Sequence, residues 1–158
     1  ASIYELGLLR DGVDIAASRN LQTILAGRGI KEILQSPIET IAHNASLGQV
    51  IDAISRTHHT VFPVADRANR IVGMIRLSAL RGVLRETQVQ EVIIAEDLMQ
   101  PLEDSLTPAD SLAKAWEVLL ESPEDEILVL HPDQSQDGGK RVAGLIRRAD
   151  VVKHVCWH

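Results

Sequence analysis

Two stretches of this chain repeat one another, and a chain built from two copies of one unit must bury each copy against the other or against itself. Arg70-Ile-Val-Gly-Met-Ile-Arg-Leu-Ser-Ala-Leu80 aligns with Arg141-Val-Ala-Gly-Leu-Ile-Arg-Arg-Ala-Asp-Val151, with identities at Arg70/Arg141, Gly73/Gly144, Ile75/Ile146 and Arg76/Arg147. Upstream, Pro37-Ile38 answers Pro101-Leu102, and Ala45-Ser46-Leu47 answers Asp110-Ser111-Leu112. The offset grows from 64 or 65 to 71, which places an insertion at Asp133 to Lys140, where Gln136-Asp137-Gly138-Gly139 reads as a hairpin turn. A unit of about 55 residues buries too little apolar surface to be comfortable alone, whereas two related by a pseudo-twofold axis can share a core.

The periodicities within the copies agree. Leu47, Val50, Ile51 and Ile54 fall on one helical stripe after Ser46; Leu112, Ala115, Trp116 and Leu119 do the same after Ser111, with Ser46 and Asp110 or Ser111 as N-caps. Thr60 to Val64 and Glu126 to Leu130 are short apolar runs suited to buried strands. Arg70 to Arg76 and Arg141 to Arg147 give the next strand of each copy, antiparallel to the first. A second helix follows, with an apolar stripe of Leu77, Leu80, Val83 and Leu84 in one copy and of Ala149, Val152, Val155 and Cys156 in the other. The expected fold class is α+β, two β-α-β-β-α repeats. Trp116 and Cys156 read as core filler.

Composition excludes several function classes. Residues 1 to 85 carry 10 basic and 7 acidic side chains and residues 86 to 158 carry 6 and 15, so the halves stand at +3 and −9, a poor match to the phosphates of nucleic acid. The longest unbroken apolar runs are four residues, and the single Cys156 rules out an intrachain disulfide, which suits a reducing compartment. There is no phosphate loop of common spacing, no nucleophile elbow and no Cys/His set at zinc spacing, so neither catalytic residues nor a metal is expected. His58 and His59 are adjacent and would point to opposite faces of a strand, and Glu121 to Glu126 reads as a solvated acidic loop.

The two copies resemble a tandem pair of cystathionine-β-synthase (CBS) domains, the regulatory unit also called a Bateman module. Phe62-Pro63-Val64-Ala65-Asp66 is similar to that family's "PVVD" strand end, Arg70-Ile-Val-Gly73-Met-Ile to its "lvGii" strand, and Asp150 falls where its Gly-x-x-Thr-x-x-Asp motif places an aspartate. The organisation this implies is a leading segment at 1–29, one CBS repeat at 30–85, a linker at 86–93 and a second repeat at 94–158. Ser2-Ile-Tyr-Glu-Leu-Gly-Leu-Leu-Arg-Asp-Gly-Val-Asp-Ile15 resembles the segment after the last membrane helix of bacterial CLC chloride channels and transporters. The resemblance therefore implies a non-enzymatic cytoplasmic tail at the inner face of a membrane. Its expected partners are the parent channel's membrane domain and a second copy, met through the CBS helices. A ligand-free scaffold of such a channel and the regulatory module of a cytosolic enzyme are the alternatives.

CBS pairs imply two clefts between the repeats that hold adenine nucleotides, here ATP, ADP or AMP as regulatory ligand, with no cofactor required. For one cleft the resemblance assigns Ser36 and Ile38 to the border of the base, and His59, Thr60 and Pro63 to the strand beside it. Asp150 is assigned to the ribose hydroxyls, and Arg147, standing where the family has Thr or Ser, to phosphate. In the other cleft Ala79 replaces the ribose aspartate and Leu128 or Val129 the proline, so that cleft is expected to bind no nucleoside.

Overall fold

The protein is described from a computed structural model, which covers residues 22–85, 92–102, 105–132 and 139–157. The segment Ser2 to Ile15, the turn at residues 136–138 and the side chain of Cys156 lie outside the described residues. After a helical stretch at 22–26 and a 3-10 turn at Ile30–Glu32, the first repeat runs β1 (Ile41–Ala42), α1 (Leu47–Ser55), β2 (Val61–Ala65), β3 (Ile71–Arg76) and α2 (Leu77–Leu84). The second runs from a short helix α3 (Ala95–Leu98) through α4 (Leu112–Glu121), β4 (Glu126–His131) and β5 (Arg141–Arg147) to α5 (Arg148–Trp157). No helix among the described residues is long and apolar enough to cross a membrane.

α1 and α4 start where their serine caps are. Ser46 Oγ accepts from the Gln49 N–H at 3.2 Å while Gln49 Oε1 accepts from the Ser46 N–H at 2.9 Å, and Ser111 Oγ accepts from the Lys114 N–H at 3.1 Å. β2 pairs antiparallel with β3 and β4 with β5, as the repeat predicts, and β1 runs parallel to β2. Pro63 is opposite Met74, whose N–H and C=O are both bonded to Gln100, so its missing N–H deprives no partner on that side.

The strands are mostly apolar between their ends because both faces are largely covered there, and the period of two divides each strand between two cores. Phe62, Val64 and Ile75 pack beneath α1 and α2 with Leu47, Val50 and Leu80. Ile127, Val129 and Ile146 pack beneath α4 and α5 with Leu112, Ala115 and Val151. The alternate residues, Val61, Ala65, Ile71 and Met74 of the first repeat and Leu128, Leu130 and Leu145 of the second, meet face to face between the sheets. That third cluster is the shared core that the repeat called for.

The lead-in segments are exchanged. Residues that lead into β1 serve the second repeat: Ile30 donates to Asp110 O at 3.1 Å, Leu112 to Arg28 O at 2.8 Å, and Gln35 exchanges two backbone hydrogen bonds with Leu145. Residues that lead into α4 serve the first repeat through similar contacts: Ala95 donates to Ala45 O at 2.8 Å, Glu96 to His43 O at 2.8 Å, and Gln100 exchanges two bonds with Met74. The cores follow suit, with Leu25 and Ile30 in the second repeat's cluster and Ala95 and Leu98 in the first's.

Three expectations about side chains need correction. Leu84 is 40% exposed and Val152 41%, and Ala149 is exposed too, so neither closing helix buries the full stripe expected of it. In α5 the buried residue is Val151, supported by Val155; the helix is rotated by about one residue from the expected stripe. Glu126 does not belong to a solvated loop: it opens β4 and is 5% exposed. Trp116 is partly buried and packs against the second repeat's core.

Candidate functional site

β3 and β5 end, and β2 and β4 begin, at one pole of the paired sheets. Strand pairing there sets Arg147 opposite Glu126, and Arg76 opposite Val61. Glu126 is therefore the carboxylate at a position where the first repeat has a valine. It is the centre of a polar cluster that joins the repeats. Its Oε1 accepts from the Thr60 N–H at 2.6 Å and from Thr60 Oγ1 at 3.2 Å, and its Oε2 accepts from Arg147 Nε at 2.9 Å and lies 3.1 Å from His59 Nδ1. Arg147 Nη2 stands 3.3 Å from the same imidazole nitrogen. Burial alone would raise the Glu126 carboxyl, but the Thr60 N–H, His59 and Arg147 outweigh it and hold the group below the usual carboxylate range.

Beside this cluster lies an open cleft of about 560 Å3. His58 and Thr60 of the first repeat line it together with Asp125, Glu126, Arg147, Arg148, Ala149, Val152 and Lys153 of the second. His58 turns into the cleft while His59 turns to Glu126, the opposite facing expected of neighbours on extended chain. Arg148 donates to Leu119 O at 2.6 Å and pairs with Asp125 at 3.3 Å. Arg76 lines a cavity of about 10 Å3, the room of a single water, and its Nε is buried with no hydrogen-bond partner among the described residues.

The residues assigned from sequence fall into three places. His59, Thr60 and Arg147 come together around Glu126. Asp150 sits on another face of α5 from the cleft residues, where its Oδ2 accepts from Gln35 Nε2 at 2.7 Å; one turn on, His154 Nε2 lies 2.9 Å from Glu32 Oε1. Ser36, next to Gln35 and joined to Pro37 by a cis peptide bond, is exposed. Ile38 packs on the inter-sheet core and Pro63 is buried within β2, so neither lines the cleft. Sequence reading passed over Glu126, Gln35, His58, Arg148 and Lys153. The available signal was the repeat itself, which sets an acid at 126 in register with a valine at 61 and two basic residues, Arg147 and Arg148, where the first copy has Arg76 and Leu77. Among the described residues no group of three or more His, Cys, Asp or Glu is placed to hold a metal ion.

Two antiparallel strand pairs, each flanked by helices and sharing a core with exchanged lead-in segments, define the α+β fold of a CBS pair. Residues 30–86 match the family model of the CBS domain. No curated protein matches the sequence. Among solved structures, the CBS domain of a CBS domain-containing membrane protein from Sphaerobacter thermophilus is 21% identical, with 89% of this chain and 96% of that one covered at a TM-score of 0.63. The CBS domain of a bacterial CNNM/CorC family Mg2+ transporter, solved in complex with ATP, is 16% identical over 88% of this chain and 94% of that one, with a TM-score of 0.67. An uncharacterized conserved protein from Pyrococcus horikoshii matches with a TM-score of 0.67 and 16% identity over 83% of this chain, which spans 55% of that protein's length.

Proposed function

We propose that the chain is a non-enzymatic regulatory and dimerising module that senses an adenine nucleotide in the open cleft. The observation that carries this reading is the 560 Å3 space between the repeats, where Thr60 and Arg147 meet Arg148 and Lys153. Arg147 would hold phosphate in the cleft, and a nucleotide that reaches round α5 to Asp150, outside the cleft lining, would give its ribose hydroxyls to that carboxylate in place of the Gln35 amide. The ATP bound by the transporter's CBS domain supports this ligand class. Calorimetric titration with AMP, ADP and ATP tests it: binding that Asp150→Ala weakens at least about tenfold is expected, as for loss of a charged hydrogen-bond acceptor.

A second reading, the ligand-free scaffold, is favoured by the occupied Asp150 carboxylate, and silence toward all three nucleotides would select it. The exposed apolar residues Leu84 on α2 and Val152 on α5 support pairing of two copies through these helices. Leu84→Arg is expected to shift sedimentation from dimer to monomer. Placement as the cytoplasmic tail of a CLC-type channel or transporter rests on the similarity of Ser2 to Ile15, and the two membrane-protein neighbours support attachment to a membrane. Its test is the parent coding sequence, which should carry a run of apolar segments of about 20 residues upstream.

A further inference from the structure

Arg147 faces two environments. Its side chain, 34% exposed, lines the open cleft, while its Nε is bonded to the buried Glu126. Glu126 is held in turn by the first repeat, through the Thr60 N–H and hydroxyl and His59. The cleft as a whole sets three permanent cations, Arg147, Arg148 and Lys153, against two carboxylates, Asp125 and Glu126. A phosphate offers a guanidinium the same paired-oxygen geometry as a carboxylate with more charge, so the two groups compete for one guanidinium. At the first repeat's equivalent position the residue facing Arg76 is Val61, which has no oxygen to offer it.

We propose that Glu126 is a built-in competitor for the ligand's phosphate. A phosphate entering the cleft draws Arg147 away from Glu126, so occupancy slackens the side-chain tie between the start of β2 in one repeat and the end of β5 in the other. Affinity is set by what Arg147 gives up, and ligand binding is coupled to the contact between repeats. This inference rests on the reading of the cleft as a phosphate-ligand site.

The test uses the full chain near neutral pH, with inorganic tripolyphosphate and ATP as probes. Glu126→Gln keeps the side chain's shape and removes its charge, and it is expected to bind both probes at least about fivefold more tightly than the wild type. Equal or weaker binding by the variant, with wild-type binding intact, overturns the competition and leaves the nucleotide reading in place. Tighter tripolyphosphate binding by the variant with no ATP binding by either protein supports the competition and removes the nucleotide. Binding of neither probe by either protein overturns both. Should Glu126→Gln fail to fold, the wild-type Arg147 Nε–H resonance decides, assigned by its loss in Arg147→Lys. It should leave its carboxylate-bonded position as tripolyphosphate saturates, and a resonance that stays in place at saturation overturns the proposal.

Discussion

Glu126 separates the two halves of a pseudo-symmetric molecule. In the second repeat a carboxylate faces Arg147; in the first a valine faces Arg76 and leaves its Nε without a partner among the described residues. The surroundings differ in the same sense. Glu126 is met by His59 and Thr60, whereas Glu124 and Asp125 occupy the corresponding place in the second copy, so a carboxylate introduced at Val61 would meet acids where Glu126 meets donors. Because its carboxyl is held low, the stability Glu126 contributes is complete above about pH 4.5 and is lost as the pH falls through the lowered value. Thermal melts at stepped pH should show this acid limb in the wild type and a flatter one in Glu126→Gln. Glu126→Ala, which leaves the Thr60 N–H and Arg147 short of a partner, should cost about 2 kcal/mol by chemical denaturation at neutral pH. Locally this residue is ambiguous, the last of an acidic run and the first of an apolar one. It follows five residues that include three acids and a proline, and what removes it from water is the approach of His59 and Thr60 from 67 and 66 positions away.

Helices and strands were more legible than their facings. The stripes after Ser46 and Ser111 set α1 and α4 correctly because capping and periodicity are both local, and the apolar runs Val61–Val64 and Ile127–Leu130 set β2 and β4 because a doubly covered strand buries successive residues. The closing helix α5 lies one residue round from its expected stripe: Val152 is as apolar as Val151, and the choice between them is made by where β5 delivers the chain. The delivery depends on Gly144. Its backbone lies against the Gln35 carbonyl, and a Cβ there would collide with that oxygen and with Leu34, as one at Gly73 would collide with Met99 Sδ at 2.8 Å. Gly144→Ala should therefore destabilise by about 2 kcal/mol, read in urea melts, and should cost more than Gly73→Ala, whose principal neighbour is the flexible end of a methionine.

At the scale of the whole molecule the sequence unit and the folded unit are different objects. Alignment of the copies draws boundaries at residues 30 and 94, yet each lead-in segment completes the other copy's core: Ile30 packs with Leu112 and Ile146, and Leu98 with the first repeat. No periodicity announces the exchange, since it concerns which of two equivalent cores a short apolar segment joins. The isolated stretch 30–86 lacks Ala95 and Leu98 and exposes the face of β2 and β3 that meets the second sheet, so it should show no cooperative thermal transition by circular dichroism, whereas residues 22–157 should melt as one.

The exchange also fixes a load path. Leu25 and Ile30 share a core with Val151 and Val155 of α5, and Glu32 and Gln35 are fastened to His154 and Asp150 of the same helix. Tension applied ahead of residue 22 is thus taken up by the helix whose first turn carries Arg148 at the cleft, and the repeat that comes first in the chain is the second to feel it.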